Sequence, residues 1–250
     1  MATDLHIFSI TGIPEVAPGA DLGALIAGAV RRTGRTAEVG DVFVVAQKVV
    51  SKAEGARVRL DEVTPSPLAH TWAAAHGLDP HVVEVVLSES RRIVRMDRGI
   101  LIAETRHGFV CANAGVDASN VAQGFVTVLP RDPDGSAEGL RVSLSKALGC
   151  AVATIVSDTF GRPWREGFVN VALGVAGLRP LIDYRGCVDP YGRRLQATII
   201  ALADELAGAA EVVMRKTAGT PVAIVRGAAE WTGNGSGQML VREASRDMFR

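Results

Sequence analysis

The stretch Ile93-Val94-Arg95-Met96-Asp97-Arg98-Gly99-Ile100-Leu101-Ile102-Ala103-Glu104-Thr105-Arg106-His107-Gly108-Phe109-Val110-Cys111-Ala112 decides the fold class. Three short apolar runs, Ile93 to Met96, Ile100 to Glu104 and Phe109 to Ala112, are separated by Asp97-Arg98-Gly99 and Arg106-His107-Gly108. Runs of that length broken by glycine-containing turns are spaced as hairpins, so they predict successive antiparallel strands. On either side, helices and strands follow one another without steady alternation. This mixture predicts an α+β fold with mixed and antiparallel sheets and flanking helices, not a doubly wound α/β sheet.

Towards the N-terminus, Leu5 to Ile10 reads as a strand closed by Thr11-Gly12-Ile13-Pro14, because Pro14 holds Ile13 in extended geometry. Asp21 precedes Leu22, Leu25, Ile26 and Val30, a helical stripe with a capping acid in front and Gly34 behind. Val42 to Val45 is wholly apolar, as a strand buried on both faces requires, and is read as continuing through Gln47-Lys48-Val49-Val50 to Gly55. Pro65 to Gly77 and Asp79 to Ser90 predict two helices, the second with a capping aspartate and proline at its first position.

Beyond the opening stretch, Pro130-Arg131-Asp132-Pro133-Asp134-Gly135-Ser136 is the strongest break, a possible subdomain edge near 130–136 within one domain spanning 1–250. It leads into a helix around Leu140, Leu144 and Leu148. Ala151 to Val156 is a buried strand that ends in Ser157-Asp158-Thr159, and Thr198 to Met214 and Pro221 to Val225 predict a helix and a strand. For Gly167 to Leu178, pattern alone separates neither strand nor packed helix. Gly233 to Gly237 reads as a flexible terminal loop.

Composition excludes several classes. The 250 residues carry 27 Lys and Arg against 27 Asp and Glu, with no long block of either sign, which argues against a nucleic-acid-binding face. The three cysteines lie far apart and form no Cys-x-x-Cys pair, so neither a disulfide framework nor a zinc site is signalled, and a reducing compartment fits. The N-terminus lacks a secretory pattern, and no apolar run approaches the roughly 18 residues of a membrane span. A cytoplasmic protein is expected. No phosphate-loop or dinucleotide-binding glycine motif is present, and the five histidines show no metal-type spacing.

Two positions stand out. Asp117 and the pair Asp158-Thr159 each follow an apolar strand, where oxygen ligands held on a rigid edge suit magnesium or manganese. Such an ion keeps waters and binds substrate phosphates; aspartate is equally a common cap and turn former. Lys52 can neutralise phosphate charge or be a solvated lysine. Asn120 can donate to a nucleotide or cap a following helix. Arg162, Trp164 and Arg165 form either a tether for an acidic substrate or an arginine stacked on a tryptophan.

Seven segments, in order along most of the chain, resemble the gamma-glutamyl ligases of deazaflavin coenzyme F420 biosynthesis. They are Gly12-Ile13-Pro14, Val49 to Gly55, Asn113 to Asn120, Asp132 to Ser136, Ser157 to Pro163, Ala203-Asp204-Glu205-Leu206-Ala207 and Val225-Arg226-Gly227. The resemblance implies an α+β fold of two subdomains in an intertwined homodimer. It also implies a ligase that uses GTP to add L-glutamate to coenzyme F420-0 through an acyl phosphate, then extends a gamma-linked tail. Asp117, Asp158 and Thr159 look like ligands of Mg2+ or Mn2+, with K+ as a further cation. Ile13, Pro14, Glu15, Val16, Gln47, Lys52, Asn120, Met214 and Lys216 look like the nucleotide contacts, and Asp117, Asp158 and Lys52 like the catalytic set. Substrates are then small molecules, with no nucleic acid or membrane partner. Some relatives continue into a C-terminal flavin-binding reductase domain, which is not expected here. Archaeal relatives carry a metal-binding glutamate after the late helix; this chain has Met214-Arg215-Lys216-Thr217-Ala218-Gly219 instead. Two other readings stay open: amide ligation on a different carboxylate acceptor, and nucleotide binding without catalysis.

Overall fold

The structure, a computed structural model, describes residues 4–119 and 121–248. Strand β1 (His6–Ser9) and helix α1 (Leu22–Arg32) lead into β2 (Val42–Ala46), α2 (Gln47–Glu54) and β3 (Arg57–Arg59). Helices α3 (Pro67–His76) and α4 (Pro80–Glu89) precede the strands β4 (Ser90–Asp97), β5 (Ile100–Thr105), β6 (Val110–Ala112) and β7 (Phe125–Thr127). Then come α5 (Pro133–Leu148), β8 (Ala153–Gly161), β9 (Phe168–Ala176), the short pair β10 (Ile182–Asp183) and β11 (Ile199–Ile200), α6 (Leu202–Met214) and β12 (Val222–Arg226).

Five strands form the central sheet in the order β1-β12-β2-β8-β9; β2 and β8 run parallel and the other neighbours antiparallel. The stretch from Ile93 to Ala112 is the predicted meander, a separate antiparallel sheet β4-β5-β6. The α+β class with mixed and antiparallel sheets is therefore what the chain adopts.

The unbroken apolar run of β2 is explained by burial on both faces. Phe43 and Val45 join Ile26 and Val30 of α1 and Leu144 of α5 on one face, while Val42 and Val44 meet Leu206, Ala207 and Ala210 of α6 on the other. Each such large side chain contributes about 1.5–3 kcal/mol by leaving water, and the alanines of α6 let that helix lie close to the sheet. A smaller core of Val86, Leu101, Ala103 and Ala114 fastens α4 to the meander. At the opposite end of the central sheet, buried Asp41 accepts from Arg226 at 3.0 and 2.8 Å, which gives the Val225-Arg226-Gly227 motif a structural role joining β12 to the start of β2.

Three sequence expectations change and one open reading is resolved. Gln47 to Glu54 is a helix and not an extension of β2: Gln47, Val50 and Ser51 turn inward at helical spacing, and Gly55 closes the end with φ 69°. Asp158 and Thr159 lie inside β8, which runs on to Gly161 because β9 continues to pair with it. Gly167 to Leu178 resolves as a strand, and Gly174 is needed there because a Cβ would stand 1.9 Å from the carbonyl oxygen of Pro133. Gly233 to Gly237 is packed against the body: a Cβ at Gly235 would meet Pro180 Cδ at 2.3 Å, and Gly237 N–H donates to Asp134. Sequence shows glycines but not the surfaces pressed against them.

Asp134 organises that region. Its Oδ1 accepts from Val175 N at 2.9 Å and Gly237 N at 2.5 Å, and its Oδ2 from Gln238 N at 3.2 Å, so one carboxylate ties the start of α5 to β9 and to the C-terminal segment. Replacing Asp134 with alanine leaves these N–H groups without their acceptor, a loss on the order of 2–4 kcal/mol. Thermal unfolding of Asp134→Ala should fall by roughly 5–12 °C, and Asp134→Asn, which keeps one carbonyl oxygen, should recover part of it. A midpoint equal to wild type would show that the carboxylate carries no such weight.

Candidate functional site

The last register pair of the parallel contact is Ala46 with Ser157. One residue further, β2 has already turned into α2 while β8 presents Asp158. The first turn of α2 and the acid of β8 therefore share the carboxyl end of a parallel strand pair, the edge at which open sheets bind ligands. Ala46 supplies no capping side chain, so the first-turn N–H groups of α2 face this edge. Gln47 and Ser51 lock the helix in place: Gln47 Nε2 donates to Val128 O at 3.2 Å, and Ser51 Oγ donates to the same oxygen at 2.7 Å.

Asp117 reaches the same edge by a different route. After β6, Asn113, Ala114 and Gly115 all adopt positive φ (51°, 51° and 73°), a sharp bend that returns the chain towards β7. The backbone of Asp117 then exchanges two hydrogen bonds with Thr127, at 3.0 and 2.9 Å. So fixed, its Oδ1 accepts from Ser119 N at 2.6 Å and its Oδ2 pairs with Lys48 Nζ at 2.7 Å.

Electrostatics joins the two acids. Burial raises the Asp158 carboxyl to about 6; the donated N–H of Thr159 and the charges of Lys216 and Lys48 work against the rise, and the neighbouring charge of Asp117 adds to it. Burial also works to raise Asp117, but the Lys48 ammonium and the Ser119 donors hold it below the usual carboxylate range. Cys111 of β6 lies near enough to Asp158 to feel its charge, and burial first, with that charge second, pushes its thiol up to about 12. A thiol held that high is not a nucleophile at neutral pH.

The predicted residues are not all brought together in the same way. Asp117, Asp158 and Lys216 fall within one electrostatic neighbourhood. Lys52 is one helical turn beyond Lys48 and pairs at 2.5 Å with Glu15 of the loop that also holds Ile13, Pro14 and Val16. Val16 is buried and Ile13 half-buried in the core, so that loop offers backbone groups and the Glu15 side chain. Gln47 spends its amide on Ser51 and Val128, and Met214, the last residue of α6, is buried. Thr159 donates its N–H to Asp158 Oδ1 at 2.8 Å, but strand alternation turns its hydroxyl to the other face, where it donates to Asn170 Oδ1 at 2.7 Å. Asn120 lies outside the described residues; residues 121–124, which follow it, form turn and bend, not helix. Arg162 donates to the carbonyls of Glu166 and Gly167 within its own hairpin, and Trp164 is 81% exposed.

Sequence reasoning missed Lys48, and with it the linked pair Asn170 and Glu211, in which Asn170 Nδ2 donates to Glu211 Oε2 at 3.1 Å. Helical periodicity over residues 47–54 is the signal that finds Lys48, since it places Lys48 and Lys52 at i and i+4 on one face. Among the described residues no three His, Cys, Asp or Glu side chains converge as a metal cluster. The donor set fits an ion of the magnesium type that keeps water and substrate oxygens as its remaining ligands, with the two carboxylates as its protein donors.

The family described as F420-0:Gamma-glutamyl ligase matches residues 11–227. The Coenzyme F420:L-glutamate ligase of Methanothermobacter thermautotrophicus is 47% identical over 250 residues, covering 98% of this chain and 99% of the relative. The protein of the same name from Methanopyrus kandleri is 49% identical over 241 residues, covering 94% of each chain. That of Archaeoglobus fulgidus is 40% identical over 247 residues, covering 98% and 96%. With the matched span running through both acids and both lysines of α2, this chain belongs to the F420-0:gamma-glutamyl ligase family, a family of enzymes that form carbon–nitrogen bonds.

Proposed function

We propose that this enzyme adds L-glutamate to coenzyme F420-0 at the expense of GTP and then extends the product with further gamma-linked glutamates. The family and its relatives support the acceptor and the amino acid. The observation that carries the chemistry is the meeting of Asp117 and Asp158 with Lys48 and Lys216 at the edge shared by β8 and the first turn of α2. Phosphoryl transfer needs positioning and charge neutralisation more than a side-chain nucleophile, and the site offers those without a reactive thiol.

In this reading the γ-phosphoryl group of GTP passes to an oxygen of the acceptor carboxylate. The bond to the β,γ-bridging oxygen breaks, GDP leaves and an acyl phosphate forms. The glutamate amine attacks the acyl carbon, inorganic phosphate departs and a proton is lost from nitrogen. Asp117 and Asp158, with Thr159 beside them, would hold Mg2+ or Mn2+. When bound, such an ion neutralises the charge of the polyphosphate. Lys52 and Lys216 face the same charge from α2 and from the turn after α6, and the loop from Ile13 to Val16 holds the nucleoside through its backbone. Lys216 adds its charge on the phosphate side. A further K+ is compatible with this charge balance.

A homodimer accounts for the exposed apolar residues. Trp164 and Phe168 around the tip of the β8–β9 hairpin are 81% and 74% exposed, and Tyr191 between β10 and β11 is 91% exposed, an arrangement that suits a second subunit. No helix among the described residues is long and apolar enough to cross a membrane.

The direct test incubates the enzyme with GTP, glutamate, Mg2+ or Mn2+ and F420-0, and follows the product by mass spectrometry. Successive glutamyl additions with matching GDP release are expected. GTP turnover only with some other carboxylate would move the assignment to a different acceptor, and nucleotide binding with no phosphate release would make the chain a non-catalytic binder. Asp158→Asn should lose at least about 100-fold in turnover, the loss seen when even an outer support of a metal site is removed. The same change should stabilise the metal-free protein. Because the folded pKa of Asp158 is raised to about 6 from an ordinary 3.8, its ionised form opposes folding above pH 6 and this opposition fades as pH falls from about 6 to 4. Melting in EDTA should rise by a few degrees at pH 7.5, and the gain should shrink below pH 6. A variant less stable than wild type at pH 7.5 would contradict the burial argument.

A further inference from the structure

The ammonium of Lys48 is held as a small bound cation would be. Its Nζ lies 2.7 Å from Asp117 Oδ2, 2.7 Å from Ser119 Oγ and 3.3 Å from Ser119 O, three oxygens for its three N–H donors. The other oxygen of Asp117 is taken by Ser119 N at 2.6 Å, so both carboxylate oxygens are engaged. Lys48 is also near enough to Asp158 to lower its pKa. Lys52, one turn along, is not a second occupant of this place, because it pairs with Glu15.

From this arrangement we infer that Lys48 is a built-in competitor of the divalent ion: its ammonium holds Asp117 and the turn at Ser119 in the metal-free enzyme, and the ion binds as that contact is given up. The inference rests on the proposed metal role of Asp117 and Asp158. An ion that engages Asp117 Oδ2 must take the place of the ammonium there, and two cations cannot share that oxygen without strong repulsion. The backbone of Lys48 need not move, since Gln47 and Ser51 pin α2 to Val128 on either side of it. Only the flexible four-carbon stem swings. Released, the ammonium stays on the face of α2 that carries Lys52, directed at the polyphosphate. Lys48 is thus a positioning residue that preserves the shape of the acid pair until the ion arrives.

The test is calorimetric titration of nucleotide-free protein with Mn2+, paired with thermal melting in EDTA. Lys48→Gln should bind Mn2+ about fivefold more tightly, the equivalent of one partly exposed ion pair, while its metal-free form melts lower than wild type. Lys48→Arg keeps the charge and should bind no more tightly than wild type. Ser119→Ala, which removes one of the three oxygens around the ammonium, should tighten Mn2+ binding by about twofold and guards against misfolding of the glutamine variant. A lysine with a merely structural role would move both quantities the same way, because a loosened turn binds metal less well. Equal or weaker Mn2+ binding by Lys48→Gln and Ser119→Ala, with wild type binding normally, overturns the inference alone. No Mn2+ binding by wild type, or binding unaffected by Asp158→Asn, overturns the metal reading beneath it as well.

Discussion

The parallel contact between β2 and β8 sets the positions of Lys48 and Asp158, around which the proposed chemistry is assembled. Its register ends with Ala46 opposite Ser157. At that point one chain enters a helix and the other continues as a strand along β9, so a lysine-bearing helical turn and a half-buried aspartate are left facing each other. Slipping the register by one residue would turn Asp158 towards α6, where Thr159 now sends its hydroxyl. The contact is secured by the most deeply buried residues of the molecule, with Val42, Phe43, Val44, Val45, Ile155 and Val156 all 0% exposed. Chemistry at the edge is therefore positioned by packing at the centre.

That edge carries a cost in the absence of substrate. Asp158 is pushed up by burial and by a second carboxylate, and the compensation comes from cations on two elements of the fold: Lys48 on α2 and Lys216 after α6. Local conflict of this kind, tolerated because the rest of the fold is stable, is the usual mark of a binding site. The arrangement favours cations near the carboxylates and anions near the lysines. A complex of a divalent ion with a polyphosphate satisfies both preferences at once. The same reasoning excludes Cys111, which has the proximity but not the ionisation.

What could be read from sequence followed from strong local rules. The meander from Ile93 to Ala112 was legible because its turns contain glycine at the right spacing, and β2 because an unbroken apolar run has few other uses. The helix α2 was not, since Gln47-Lys48-Val49-Val50 after a strand satisfies extended and helical patterns alike over so few residues; Gly55, as a C-terminal cap, was the overlooked clue. Losing that helix also hid Lys48. The acids Asp117 and Asp158 were singled out by their places after apolar strands and by family resemblance, but the path that carries Asp117 to its place runs through three consecutive positive-φ residues at 113–115. Two of those are Asn113 and Ala114, and an alanine in that conformation is dictated by surrounding structure and not by its own preference. Gly174 and Gly235 were likewise visible as letters while the carbonyl of Pro133 and the ring of Pro180 that require them were not.

The central claim is that Asp117 and Asp158, remote in sequence, form one cation site beside the phosphates of a nucleotide. Crystals grown with MnCl2 and GDP and measured at the manganese absorption edge test it most directly. The account predicts an anomalous peak within coordinating distance of both carboxylates and of a GDP phosphate oxygen, with Lys48 Nζ withdrawn from Asp117. Manganese bound elsewhere, or GDP bound with the two carboxylates facing separate solvent regions, would contradict it.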